Sequence, residues 1–168
     1  MKHYLLAALA ALAFGLVSAP ASAQDAFVEH QTITPELAQT MATAAMDSCR
    51  EKGAQVGVTV VDRFGIPQAF IRDRFAGLHV YETSRRKAWT SVSFRSSTTD
   101  LSNATSADKD AFGIRFLSEA LPLGGGLVVY SGEGAIVAGI GVSGAPSPDM
   151  DEDCAIDGIE AIEDEIAF

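Results

Sequence analysis

The chain has 168 residues, 22 of them Asp or Glu against 12 Lys or Arg, for a formal net charge of −10. That field opposes a phosphate backbone and excludes nucleic acid as a partner. The length suits one domain around a single core.

Residues 1–23 are predicted to be a secretory signal peptide. Lys2 supplies the positive start, Tyr4–Val17 the apolar stretch and Ala21-Ser-Ala23 the small-residue cleavage site. The apolar run is short for an uncleaved membrane anchor. The mature chain, from Gln24, is expected to be periplasmic or secreted. Without Lys2 it has 11 bases and 22 acids, a net charge of −11. Residues 24–33 read as a polar leader and 34–168 as the single domain.

Thr34 caps a predicted helix with Pro35 in its first position, Leu37, Met41, Ala44, Ala45 and Ser48 at helical spacing, and Gly53 as the stop. Gln55–Val61 is β-branched and predicts a strand, Asp62-Arg-Phe-Gly65 a turn, and Ile66–Arg72 the returning strand. Asp62 is expected to hydrogen-bond its own turn. His79–Phe94 predicts a second helix, with Val80, Ser84, Ala88, Ser91 and Val92 along one side. Residues 96–107 are rich in Ser and Thr without a period and read as a loop, and 109–120 as a short helix or irregular turn. Strands follow at 127–130 and 135–142, joined by Ser131-Gly-Glu-Gly134. Ile156, Ile159, Ile162 and Ile166 mark the apolar edge of a last helix beginning near Asp149. The order α-β-β-α-β-β-α requires antiparallel strands with helices on both faces, a three-layer α/β/α sandwich of the α+β class.

Residues 139–144 imitate the G-x-G-x-x-G dinucleotide fingerprint. Pro146 and Pro148 follow at once, and the next helix opens on Asp149, Asp151, Glu152 and Asp153, which would repel a phosphate. Gly141-Val-Ser143-Gly-Ala145 imitates a nucleophile elbow but lacks its last glycine, and no histidine follows Ser143. No catalytic motif survives inspection.

Two cysteines in an exported chain invite a disulfide. Cys49, late in the first helix, and Cys154, early in the last, would meet if those helices pack antiparallel; two separately buried thiols are the alternative. The charge is segregated: residues 149–168 hold nine acids and no base, and residues 72–95 six bases against Asp73 and Glu82.

Several blocks, in order, resemble the GlcG/HbpS-like family of haem-binding proteins. They are Val58-Thr-Val-Val-Asp-Arg-Phe-Gly65, Ser84-Arg-Arg-Lys-Ala88, Gly124-Gly-Gly126, Gly139–Ala145 and Asp151-Glu-Asp-Cys-Ala155, across residues 34–166. The chain departs from the family's apolar-Pro pairing after the glycines: Pro122 precedes them and Leu127-Val-Val129 follows. The resemblance implies a profilin-like layered sheet, a homo-oligomer and non-covalent binding of haem b or a similar anionic tetrapyrrole. It also implies, as an alternative, a role with small carboxylic acids such as glycolate. A separate reading is a structural interaction module that presents ligand state to a membrane sensor protein.

For haem, the iron needs an axial donor and the propionates need cations or amides. His79 is the expected donor, with Tyr81 as the alternative and His30 a third, reaching back from the leader. Arg72, Arg74 and Lys87 would face propionates, and Arg72 and Lys87 would equally hold a small carboxylate. Gly125, Gly126, Ser143 and Gly144 are expected to leave backbone open to the ligand. Alternatively, Lys87 makes a surface ion pair with Glu82 or Asp73, and His79 is an exposed helix-start residue. Asp149, Asp151, Asp153 and Glu160 match positions of a Ca²⁺ loop, although Cys154 stands where that loop needs glycine; acids at a helix start also suit the dipole without metal.

Overall fold

In a computed structural model, which describes residues 27–168, four strands form one antiparallel sheet in the order β2-β1-β4-β3. The predicted signal peptide and the first part of the predicted leader lie outside the described residues. Helix α1 (Pro35–Glu51) starts where Thr34 Oγ1 accepts from the Leu37 N–H at 3.2 Å, with proline in the first turn. Strands β1 (Gly57–Asp62) and β2 (Pro67–Arg72) form a hairpin. At its turn Asp62 Oδ1 accepts from the N–H groups of Phe64 and Ile66, at 2.8 and 3.0 Å. Helix α2 (Val80–Phe94) follows, and later β3 (Gly126–Tyr130) and β4 (Ile136–Ser143) form the second hairpin. β4 pairs with β1 in the centre.

Helices lie on both sides of this sheet, as the element order requires. Val58, Val60, Ala138, Ile140 and Val142 pack with Met41, Ala42 and Ala45 of α1 and with Cys154, Ala155 and Ile162. This is the larger apolar core. Helix α4 (Pro148–Glu160) packs beside α1 there, and Cys49 and Cys154 are joined by a disulfide with a Cα–Cα distance of 5.5 Å. The opposite face carries α2, whose predicted inner stripe of Val80, Ser84, Ala88, Ser91 and Val92 is buried.

Two local expectations are corrected and a third is made specific. The stretch 96–107 is not all loop: α3 (Thr98–Ala104) starts where Ser97 Oγ accepts from the Asp100 N–H at 3.0 Å. Only Thr98 and Leu101 are buried in it, so no apolar period marks it in the sequence. The stretch 109–120 contains a 3₁₀ helix, Asp110–Phe116, with no buried residue. The last helix is broken: α4 ends at Glu160 and α5 (Glu163–Ile166) restarts after it; Ile162 between them is fully buried, as the apolar edge requires, while Ile156 within α4 is 41% exposed.

Candidate functional site

Where α2 crosses β4 and its neighbours, the sheet face beneath it presents mostly glycine, serine and threonine. Across the strands, Arg72 pairs with Gly57 and Gly57 with Ser143; in the next inward row Phe70 pairs with Thr59, Thr59 with Gly141 and Gly141 with Gly126. A Cβ on Gly141 would come within 2.1 Å of the Ser84 carbonyl oxygen, and one on Gly126 within 2.5 Å of the Lys87 carbonyl oxygen. Helix backbone therefore lies almost directly on strand backbone. Short hydroxyl contacts complete the seam: Thr59 Oγ1 and Ser84 Oγ are 2.7 Å apart, and Thr83 Oγ1 donates to Ser143 Oγ at 2.6 Å. Gly126 and Ser143 are consequently filled by α2 rather than open to a ligand.

Lys87 lies inside this seam and is 1% exposed. Its ammonium donates to the Val142 carbonyl at 2.8 Å and to Asp151 Oδ2 at 2.7 Å, while Asp151 Oδ1 accepts from the Ala145 N–H at 2.9 Å. Gly125, at φ +107°, passes so close that a Cβ there would meet Asp151 Cβ at 2.7 Å and Lys87 Nζ at 3.0 Å. Glu152 Oε2 accepts from the Gly125 N–H at 3.3 Å and from the Thr99 hydroxyl. Burial pushes the Lys87 pKa down and the Asp151 pKa up, each toward its neutral form, and the contact between the two opposes both shifts. This buried pair ties α2 to α4 around the end of the sheet. Neither Glu82 nor Asp73 is its partner. Glu82 pairs with Arg85 at 3.2 Å, and Asp73 takes the Arg50 guanidinium through both oxygens, at 2.7 and 3.2 Å. The Arg50 contact holds the Asp73 carboxyl below its ordinary range.

Arg72, Arg74, His79 and Tyr81 stand elsewhere, where β2 ends and α2 begins, and all four are exposed. Tyr81 meets Phe70 of the outer strand edge-on, with ring centroids 4.8 Å apart. The Arg72 guanidinium donates to the Ala76 carbonyl, folding the connecting loop back on the strand. His79 precedes the first turn of α2 without capping it, and its ring lies against Gly77, where a Cβ would be 2.6 Å from Cε1. Gly144, at φ +124°, is exposed close to Val80, one residue on from His79. Arg72, His79 and Gly144 therefore share one end of the sheet, while Lys87, Gly125 and Gly126 belong to the buried node.

Phe70, Phe75 and Leu78, 36%, 79% and 94% exposed, were not predicted to belong to this region. Phe70 could have been found by alternation, because it falls two residues before Arg72 and therefore on the same strand face. Of the Ca²⁺ candidates Asp149, Asp151, Asp153 and Glu160, Asp151 is turned inward onto Lys87. Among the described residues no group of three His, Cys, Asp or Glu is placed to hold a metal ion.

The region is thus a solvent-open aromatic edge bordered by two guanidinium groups and an imidazole, above a helix seated on glycine. Similar proteins carry the same architecture. HbpS from Streptomyces reticuli, as a double mutant, superposes with a TM-score of 0.77 at 36% identity, covering 86% of this chain and 97% of that one. A PduOC–haem complex superposes with a TM-score of 0.73 at 26% identity, covering 78% of this chain and 95% of that one. In sequence the corrinoid adenosyltransferase PduO of Salmonella typhimurium is 29% identical over 121 residues, which are 71% of this chain and 35% of that protein. The chain thus spans about a third of the length of that relative. Residues 33–160 match the family described as haem degrading protein HbpS-like, which places this chain in the HbpS-like family.

Proposed function

We propose that this chain is an exported protein that binds haem b non-covalently at the β2–α2 edge. One observation carries the reading: the Phe70–Tyr81 pair and the exposed Arg72, Arg74 and His79 all fall on the short stretch from the end of β2 to the first turn of α2. A porphyrin needs an apolar face, cations for two propionates and an axial donor, and this set of side chains fits those needs. His79 would hold the iron, with Tyr81 as the alternative, and Arg72 and Arg74 would pair with the propionates. The bound group would supply iron-centred ligand chemistry. A relative crystallised with haem and a family described by haem chemistry support the same choice.

Binding of a small carboxylate between Arg72 and Lys87 is less well supported, because the Lys87 ammonium is sealed against Asp151. Self-association fits the exposed outer edges of β2 and β3.

Haemin titration of the full chain tests the proposal. A Soret shift saturating at one haem per subunit is expected, and His79→Ala should move the absorption maximum. Absence of a saturable shift would reject haem as the ligand. A spectrum unchanged by His79→Ala would pass the axial role to Tyr81, to be checked with Tyr81→Phe.

A further inference from the structure

The loop joining β2 to α2, residues 73–79, is pinned by polar contacts while its largest apolar side chains point to solvent. The Arg72 guanidinium donates to the Ala76 carbonyl, the Ala76 N–H to the Asp73 carbonyl at 3.1 Å, and the Phe75 N–H to Gln55 Oε1 at 3.0 Å. From that held backbone Phe75 projects at 79% exposure and Leu78 at 94%. Exposure of that degree forfeits the transfer free energy that burial of a Phe or Leu side chain supplies, and nothing in the loop's hydrogen bonding requires it.

The surrounding charge specifies what would cover these side chains. Arg72 and Arg74 are exposed on either side of Asp73, whose carboxylate is buried and neutralised by Arg50. The loop therefore presents positive charge without a free acid between its arginines. The nine acids of residues 149–168 belong to the α4–α5 end of the chain, and α4 packs with α1 on the face opposite α2. Asp151, the acid of that end that reaches α2, is neutralised by Lys87, and outward-facing acids further off are screened over roughly one Debye length, about 10 Å at 0.1 M salt.

We propose that the loop docks the protein on an anionic lipid surface, with Phe75 and Leu78 entering the boundary between headgroups and acyl chains and Arg72 and Arg74 meeting lipid phosphates. Two apolar tips on a rigid loop, flanked by guanidiniums that keep their charge in the headgroup layer, suit a shallow, reversible contact. The proposal goes beyond haem binding and requires no bound ligand. It also places the aromatic edge at the depth where a lipophilic planar molecule would partition.

Haem-free full-length protein sedimented with mixed phosphatidylcholine–phosphatidylglycerol vesicles, and with phosphatidylcholine alone, tests it. Binding to the mixed vesicles is expected, weakening as salt is raised, with little binding to the neutral ones. Arg74→Glu should lower the partition coefficient by roughly fivefold or more, the worth of one arginine near an anionic surface. Phe75→Ser with Leu78→Ser should lower it by about tenfold or more, since both side chains are exposed in water and their loss leaves the fold intact. A melting curve of each variant verifies the fold. Failure to sediment with mixed vesicles at low salt overturns the proposal, as does binding that both variants leave unchanged. A drop in the protein's own mass in the double variant, without any vesicle effect, would identify the loop as a contact between copies and reject the lipid surface. None of these readouts depends on whether haem binds.

Discussion

Lys87 shows how a residue's neighbours determine its role. Its ammonium is enclosed by the Val142 carbonyl and Asp151, so removing either partner leaves a charge without solvent. Lys87→Met should destabilise the fold by about 3–5 kcal/mol, the usual cost of breaking a buried ion pair on one side. Lys87→Met combined with Asp151→Leu should recover most of that loss, and urea denaturation of the three proteins measures both. The residue was legible as a cation but not as a buried one. Its place in the seam was nevertheless available from spacing: Lys87 is three residues after Ser84 and four before Ser91, on the stripe correctly read as inward. The partner was not available in that way, because Asp151 is 64 residues away and belongs to an acidic helix start that the dipole already explains. The outward residues were harder still. Nothing in composition distinguishes an exposed Leu78 from a core leucine, and only the fold separates them.

Among the elements, α2 depends most on the strands beneath it. Gly141→Ala would drive a methyl group into the Ser84 carbonyl and the Ala88 amide, at 2.1 and 2.6 Å, both of them backbone that cannot turn aside. A loss of about 2–3 kcal/mol is expected in thermal or denaturant unfolding. Gly113→Ala, where an added Cβ meets nothing within 4 Å, should change stability by less than about 0.5 kcal/mol. The hairpins were legible because each carries a local turn, one of them an aspartate reaching its own backbone. α3 was not, because a seven-residue helix with two inward side chains leaves too few positions to show a period. Ile162 is buried as the apolar edge requires, whereas Ile156 of the same edge is 41% exposed, and the break after Glu160 is announced by no glycine or proline.

For the molecule as a whole, the covalent link between α1 and α4 spans 105 residues. Closing a loop of that length stabilises a fold by about 4–5 kcal/mol in the chain-entropy account. Cys49→Ser with Cys154→Ser should lower the urea midpoint accordingly and steepen the transition, because the denatured chain without the link is less compact and exposes more surface. The layered arrangement has a further consequence for α2. Each small residue on its inner side meets a glycine or a hydroxyl on the sheet, so the helix has one roll angle about its axis. A slip of one residue would swing its outer side by about 100°. The aim of His79 and Tyr81 is therefore inherited from buried positions beneath the helix, and a methyl group added at Gly141 would misdirect them from its inner side.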